Sequence, residues 1–265
     1  MTVAKESDID SIVTDELVAL YRERGFVNVP ALLTPEEVAE QFADAERQFA
    51  ERETELWEEE DGLAMDWVAD AGLRSEVTRR LALHPKVTAA AEKLAGTPLR
   101  LFKSELFRKP AGGLSAPTPI HYDSPSHPFE GRPVTLTAWT ALVDVPEERG
   151  CMSFIPGSHK EVTPKEGDDG MSPLDRWPHF AWEERVTVPL RAGDVHFHHG
   201  RVIHSAGANN TDTTRISLGT VYMDADAVYR PNPVYSYLFP GDDLGGLEPG
   251  QPVRGERFPL ARSGA

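Results

Sequence analysis

The segment LRLFKSELFRKP, residues 99–110, is where the hydrophobic period of the sequence changes, and it decides the fold. From this point the pattern has a period of two, as expected for β-strands, whose successive side chains point to opposite faces. Further short β-rich segments follow, separated by Gly and Pro: PVTLTAWTALVDV (133–145), CMSFIP (151–156), RVTVPL (185–190), DVHFHH (194–199) and RISLGTVYM (215–223). This spacing predicts an antiparallel barrel or sandwich.

The first hundred residues favour helices instead. In TPEEVAEQFADAERQF (34–49), Thr34 is a predicted N-cap with Pro35 and Glu37 completing the start signal, and apolar residues then recur on one helical face. The acidic run ERETELWEEED (51–61) is predicted to continue or end this helix as a solvated surface. A second helix is predicted in HPKVTAAAEKLAG (84–96), from Pro85 to Gly96.

These patterns together predict one domain over 1–265, mainly β with N-terminal helices (α+β). Residues 1–98 are expected to be mainly helical outer support, 99–223 the β core, and 224–265 a segment that wraps the surface. Residues 160–182 form a long polar insertion between two predicted strands. Long loops on a rigid scaffold are often lids or binding loops.

The composition excludes several function classes. A net charge of −16 argues against nucleic acid or an anionic membrane as partner, because phosphate groups are bound by clustered Lys and Arg. The single cysteine, Cys151, allows no intrachain disulfide and lies in an apolar, strand-like setting. The N-terminus lacks the apolar core of a signal peptide, and no apolar run is long enough to cross a bilayer. We therefore expect a soluble, cytoplasmic protein.

The segment TPIHYDSPSHP (118–128) carries the first candidate for chemistry. In an extended strand, His121 and Asp123 would point to the same face. Four histidines follow downstream in GDVHFHHGRVIHSAGANNTDTTR (193–215), and one of them would complete a set of two His and one carboxylate, as in non-haem Fe(II) oxygenases. Spacing alone does not decide among the four. A second His-x-acid pair, His159 and Glu161, follows a turn and is predicted to be exposed and uninvolved.

Several ordered motifs resemble the phytanoyl-CoA dioxygenase family of Fe(II)- and 2-oxoglutarate-dependent oxygenases. They are LLTPEEV (32–38), IHYDSP (120–125), TAWTALVDVPEERGCMSFIPGSH (137–159), AGDVHFHHGRVIHSAGANN (192–210) and the arginine of TTRISL (213–218). The resemblance runs from about Leu32 to Met223. It implies a double-stranded β-helix, also called a jelly roll or cupin-like fold, with the N-terminal helices packed outside.

The resemblance also implies roles for particular residues. His121, Asp123 and His204 would be the iron ligands, and Arg215 would bind the distal carboxylate of 2-oxoglutarate. A guanidinium suits that carboxylate because it is planar, always charged and bidentate. The cofactors implied are Fe(II), 2-oxoglutarate and O2, with succinate and CO2 as coproducts. The carboxylate of Asp123 favours hydroxylation or another C–H oxidation over halogenation, since halogenating relatives have a small residue there.

Other residues are predicted at the edges of this site. Candidates for the cosubstrate are Trp139, Thr137, Ser205 and Lys103, and candidates for the substrate are Glu105, Tyr122, Ser124 and Trp177. Trp139 as simple core packing is equally compatible with the sequence. Ser205 lies one residue before the position at which the family often has a serine, and Ala206 occupies that position.

The favoured function is an oxygenase that hydroxylates or otherwise oxidises a C–H bond of a small organic molecule, in a biosynthetic route to a specialised metabolite. An acyl-CoA substrate is disfavoured because no basic cluster is present. One alternative is a cupin-like isomerase or hydrolase with another metal, which would have no use for Arg215. A second is a catalytically silent binding module. Substrate, stereochemistry and oligomeric state stay open.

Overall fold

The computed structural model describes residues 6–130, 135–163 and 172–262. The helices in these ranges are α1 (Glu6–Ile12), α2 (Asp15–Arg24), α3 (Pro35–Glu51), α4 (Ala71–Arg74), α5 (Glu76–Ala82), α6 (Pro85–Ala95), α7 (Pro173–Arg176) and α8 (Pro233–Leu238). The strands are β1 (Phe26–Val29), β2 (Glu55–Glu59), β3 (Gly62–Val68), β4 (Leu99–Lys109), β5 (Thr118–His121), β6 (Phe129–Glu130), β7 (Thr135–Ala141), β8 (Met152–Phe154), β9 (Val186–Val188), β10 (Val195–His199), β11 (His204–Ala206), β12 (Arg215–Asp224) and β13 (Val228–Tyr229).

Two antiparallel sheets form the core, which confirms the predicted fold class. The major sheet has the strand order β1-β10-β7-β12-β4-β3-β2, and the minor sheet has the order β5-β11-β8-β9. Trp139 and Ala141 of the major sheet share an apolar cluster with Met152 and Phe154 of the minor sheet. The inner faces of the two sheets therefore enclose one core, as in a jelly roll.

The outer face of the major sheet carries the helices. Leu136, Leu218 and Phe197 are fully buried there in the same cluster as apolar residues of α2, α3 and α6. The α3 start is the predicted capping box, since Thr34 and Glu37 each accept from the other's backbone N–H. Strand residues alternate between the two faces of a sheet, so Thr137, Gly219 and His198, which follow Leu136, Leu218 and Phe197 in sequence, lie on the inner face.

The predicted description of residues 1–98 as mainly helical is incomplete. Helix α3 ends at Glu51, and the acidic run after it forms the β2–β3 hairpin, which pairs with β4 at the edge of the major sheet. Strand β1 pairs with β10 at the opposite edge. Most of β2 is solvated as expected, so its conformation comes from pairing with β3 rather than from burial of its side chains.

The segment after Met223 packs against the first half of β4. Tyr235, Leu244, Val253 and Phe258 are buried against Phe102. Of the predicted insertion 160–182, residues 164–171 lie outside the described residues, and the remainder contains α7 and a 3-10 turn at Pro178–Trp182. Within the described ranges, no helix has both the length and the apolar character needed to span a membrane.

Candidate metal centre

A cavity of about 140 Å³ lies between the inner faces of the two sheets. One wall is formed by inward-facing residues of β4, β7 and β12, and the other by β5 and β11. His121, Asp123 and His204 line it together with Arg215. The residues that the sequence singled out for chemistry therefore share one cavity.

Two strands and one turn bring the three predicted ligands together. His204 on β11 is paired with His121 on β5, and the centroids of the two rings are 4.2 Å apart. Asp123 is not in an extended strand as predicted: β5 ends at His121, and Asp123 has φ −75° and ψ −33°, at the start of a 3-10 turn. That turn, rather than strand alternation, directs the carboxylate towards the rings. One ligand atom from each residue lies within 4.8 Å of the others.

The backbone orients both imidazoles. Nδ1 of His121 is 2.8 Å from the carbonyl oxygen of Pro119, and Nδ1 of His204 is 3.1 Å from that of Val202. A carbonyl oxygen only accepts, so each Nδ1 donates and each Nε2 keeps its lone pair. The two Nε2 atoms lie 3.8 Å and 3.6 Å from Oδ1 of Asp123. Three electron-pair donors thus converge, which is the arrangement that holds a divalent metal.

The surroundings keep these groups in the protonation states that ligands need. Burial lowers the pKa of His121, and burial together with the neighbouring His121 ring lowers the pKa of His204 to about 3. Burial by itself would raise the pKa of Asp123, but the imidazoles of His204 and His198 hold it well below its ordinary value. The site therefore combines neutral imidazoles with an ionised carboxylate.

Arg215 lies in the same cavity and has no acidic partner. Its side chain is 2% exposed, its Nη1 donates to the carbonyl oxygen of Gly150 at 2.6 Å, and its Nε has no hydrogen-bond partner. No carboxylate among the described residues forms an ion pair with it. Burial lowers its pKa to about 10, so it stays charged at neutral pH. A buried cation of this kind needs an anion from outside the chain.

Four other predicted site residues also line the cavity. Trp139 has its ring centroid 5.4 Å from Cζ of Arg215, and the Thr137 hydroxyl donates to Oδ2 of Asp123 at 2.9 Å. Ser205 and Glu105 lie on the cavity wall. Burial raises the pKa of Glu105 to about 7, although Lys103 opposes this shift, and Oε1 of Glu105 has no partner.

The remaining predicted residues lie outside the cavity lining. Lys103 is buried beside the C-terminal segment, with Nζ 3.0 Å from the ring centroid of Phe239 and without a hydrogen-bond partner. Tyr122 packs edge-on against Trp177, with ring centroids 6.0 Å apart, and the Ser124 backbone N–H donates to Gly200. Direct contacts of these residues with cosubstrate or substrate stay predictions.

Some residues at the site could not be selected from the sequence. His198 lines the cavity and contacts Asp123, although its spacing did not distinguish it from His196, His199 and His204. Met65 lines the cavity from the hairpin that was not predicted. The prediction that His159 is exposed is wrong: it is buried, with Nε2 3.2 Å from the carbonyl oxygen of Arg22, and it does not belong to the triad.

Most of the chain is similar in sequence to a known protein family. The family model Phytanoyl-CoA dioxygenase (PhyH) matches residues 21–217. A probable phytanoyl-CoA dioxygenase of Caenorhabditis elegans is 29% identical over 154 residues, which cover 54% of this chain and 49% of that protein. The peroxisomal phytanoyl-CoA dioxygenase of Rattus norvegicus is 26% identical, over 61% of this chain and 50% of its own length. The chain spans about half the length of the curated relatives it matches.

Solved structures match over nearly the whole chain. The non-haem α-ketoglutarate-dependent epimerase SnoN from nogalamycin biosynthesis is 48% identical with a TM-score of 0.87, covering 97% of this chain and 99% of that one, in a complex with Fe3+, α-ketoglutarate and nogalamycin RO. The α-ketoglutarate-dependent carbocyclase SnoK from the same biosynthesis is 42% identical with a TM-score of 0.85, covering 93% and 96%.

The family match covers most of the chain, and the fold and the converging donor atoms agree with it. The SnoN complex contains Fe3+ and α-ketoglutarate, and the donor set of two imidazoles and one carboxylate in this chain is of the type that holds non-haem iron. The chain belongs to the phytanoyl-CoA dioxygenase family of non-haem iron, 2-oxoglutarate-dependent enzymes.

Proposed function

We propose that this enzyme oxidises a C–H bond of a small organic molecule in a biosynthetic route, with His121, Asp123 and His204 as iron ligands and Arg215 as the anchor for 2-oxoglutarate. The observation that carries the proposal is Arg215: a buried guanidinium that forms no ion pair with any acidic side chain the structure describes, in the same cavity as the converging donors. An isomerase or hydrolase with another metal would gain nothing from an unpaired cation there.

The donor set suits Fe(II). Two neutral imidazoles and one carboxylate on one side of the metal leave the opposite positions open for other ligands. The Nδ1 hydrogen bonds to Pro119 and Val202 hold each ring with Nε2 towards the metal position. Outer hydrogen bonds of this type fix the tautomer and orientation of ligating histidines.

The charge of Arg215 suits the far carboxylate of 2-oxoglutarate. Its free Nε and the remaining guanidinium N–H groups can donate to both oxygens of a carboxylate, and burial strengthens such a pair. The ring of Trp139 beside it would exclude water from the pair. Ser205 on the cavity wall supplies a further hydroxyl for the cosubstrate.

The substrate is expected towards the other end of β4. Arg215 is paired with Lys109 at the end of β4. Glu105 lies four residues before Lys109 on the same strand, so the two backbone positions are about 13 Å apart at roughly 3.3 Å per residue. The unpartnered Oε1 of Glu105 and Nδ1 of His127 both belong to residues of the cavity wall there. Glu105 is therefore our candidate for a hydrogen bond to a hydroxyl or amine of the substrate, and Tyr122, Ser124 and Trp177 would act indirectly.

His121, Asp123 and His204 would hold the iron and Arg215 the 2-oxoglutarate, and together with O2 these groups would supply the oxidising power that removes a hydrogen atom from the substrate, with 2-oxoglutarate converted to succinate and CO2. The chain's own residues decide which C–H bond lies next to the metal. Hydroxylation, inversion of a stereocentre and ring closure all begin with that abstraction. Similarity to an epimerase and a carbocyclase supports inversion or ring closure, on a substrate of the nogalamycin type, as strongly as hydroxylation.

The test is formation of succinate from 2-oxoglutarate by the protein supplied with Fe(II), with nogalamycin RO as the first substrate probe. We expect Asp123→Ala to abolish succinate formation and Arg215→Met to raise the KM for 2-oxoglutarate at least 10-fold, as about 1.4 kcal/mol of lost binding implies. Glu46→Gln, an exposed change on α3, is the control. Full succinate formation by Asp123→Ala, or none by the wild type, would refute the proposal.

A further inference from the structure

His198 is a third histidine at the candidate metal centre, and the resemblance to the family assigns it no role. It lies on β10 opposite Thr137 of β7, and its side chain is 2% exposed and lines the cavity. Its Nε2 is 3.1 Å from Oδ2 of Asp123. Because that oxygen only accepts, Nε2 is the donor and carries the proton.

Two donors meet on this single carboxylate oxygen. The hydroxyl of Thr137 donates to Oδ2 at 2.9 Å, and the ring of His198 donates to it at 3.1 Å. His198 and Thr137 are paired across neighbouring strands, so both side chains lie on the same inner face of the major sheet, next to Asp123. The other oxygen, Oδ1, is the one that lies near Nε2 of His121 and of His204.

The different contacts of the two oxygens of Asp123 affect how many coordination positions of the metal stay open. A carboxylate free to turn can bind a metal through both oxygens and so occupy one more coordination position. Hydrogen bonds from two sides fix the plane of the group and use the lone pairs of Oδ2. Only Oδ1 is then left to coordinate.

We propose that His198 is a positioning residue which, together with Thr137, holds Asp123 as a ligand through one oxygen. The inference rests on the proposed function, because it takes the triad as the iron site. It adds a residue that touches neither iron nor cosubstrate and acts only through Asp123.

The same strand provides a matched control. His196 lies two residues before His198 on the same face, is completely buried, and has its ring centroid 5.6 Å from that of His198. Neither of its ring nitrogens has a hydrogen-bond partner. It stacks on Phe154 with centroids 4.5 Å apart, so it contributes packing alone.

The experiment is a titration of metal-free protein with Co(II), followed by the visible absorption of the bound ion and requiring no substrate. We expect His198→Phe to weaken Co(II) binding by about 10–100-fold, the usual effect of losing an outer hydrogen bond to a ligand, and to alter the Co(II) spectrum. His198→Gln, whose amide N–H can reach Oδ2, should restore most of both. His196→Phe should change neither.

The outcomes separate the two proposals. If the wild type binds no Co(II), both the iron site and this inference are wrong. If the wild type binds Co(II), and His198→Phe has the same affinity and spectrum, the inference alone is wrong. Equal losses in His198→Phe and His196→Phe would also overturn it, since they would indicate packing. If His198→Phe does not fold, Thr137→Val removes the other donor to Oδ2 and must weaken binding in the same way.

Discussion

Glu105 illustrates how a single residue on the cavity wall affects the energetics of the whole chain. Its carboxyl is half-buried on the wall of the cavity, and burial raises its pKa from 4.5 to about 7. The folded protein therefore binds this proton more tightly than the unfolded chain does. The stability associated with Glu105 is full below pH 4.5 and is lost as the pH rises through about 7.

Glu105→Gln should remove this pH dependence, because the amide has a similar shape and does not ionise. We expect the variant to gain stability relative to the wild type between pH 4.5 and 8, by at most about 3.5 kcal/mol at about 1.4 kcal/mol per pKa unit. Water in the cavity would reduce the gain. Urea denaturation of the metal-free proteins at pH 5 and pH 8 measures it, with Glu46→Gln as the exposed control. Parallel curves for wild type and Glu105→Gln would contradict the prediction.

For single residues, the sequence predicted which residue types belong to the site better than it predicted which contacts they make. The triad and Arg215 were predicted because several motifs occur in order, and the structure places all four residues in one cavity. His198 could not be separated from His196, since both share a strand face and only the position of Asp123 distinguishes them. Lys103 and Glu105 lie two residues apart on β4, as predicted for one face of a strand. Aromatic rings of the C-terminal segment cover Lys103, however, and the sequence around Lys103 could not show this contact, because the rings come from a distant part of the chain.

The strands and helices were predictable wherever their side chains are buried on one side. All six quoted β segments contain strands, and α3 and α6 begin at the predicted prolines. Strand β2 of the hairpin was missed because an acidic run without alternating apolar residues carries no strand signal. Strand β1 has only four residues, and its pairing with β10 comes from distant sequence. Tertiary pairing determined both elements.

The middle of β12 offers a test at the level of elements. Gly219 pairs with Glu105 and Trp139, and a Cβ added there would lie 2.5 Å from Cε2 of Phe107. We expect Gly219→Ala to displace the Phe107 ring and to destabilise the protein by about 1–3 kcal/mol, the usual cost of overpacking. Thermal unfolding measures the loss. Adding Phe107→Leu should recover part of it, and an unchanged midpoint in Gly219→Ala would show that the ring moves freely.

For the molecule as a whole, an ion-pair cluster centred on Arg257 joins the C-terminal segment to Asp70 in the rest of the chain. The guanidinium of Arg257 lies 3.1 Å from Oδ2 of Asp70 and 2.7 Å from Oδ2 of Asp242. The hydroxyl of Tyr235 donates to the same carboxylate of Asp242. Burial would raise the pKa of Asp242, but the hydrogen bonds from Arg257 and Tyr235 lower it to about 2.

Arg257→Met should destabilise the protein by about 1–3 kcal/mol at pH 7, because two half-buried carboxylates lose their cation. The stability that depends on ionised Asp242 is present above pH 3.8 and is lost as the pH falls through about 2, so wild type and variant should converge in acid. Urea denaturation at pH 7 and pH 3 tests this. The control is Arg262→Met, whose guanidinium is 3.9 Å from Glu92. Equal losses in both variants would contradict a specific role for Arg257.

The position of β1 has a consequence for engineering this family. All four of its residues pair with β10, the strand that carries His196 and His198, although β1 itself lies between two of the N-terminal helices. A chimaera that took its helices from one relative and its sheets from another would exchange the backbone partner of the strand that carries His198. A crossover point after Val29 would still leave β1 with the foreign parent. Recombination with SnoN or SnoK should therefore keep residues 26–29 and 195–199 from the same parent, whatever is done with the helices around them.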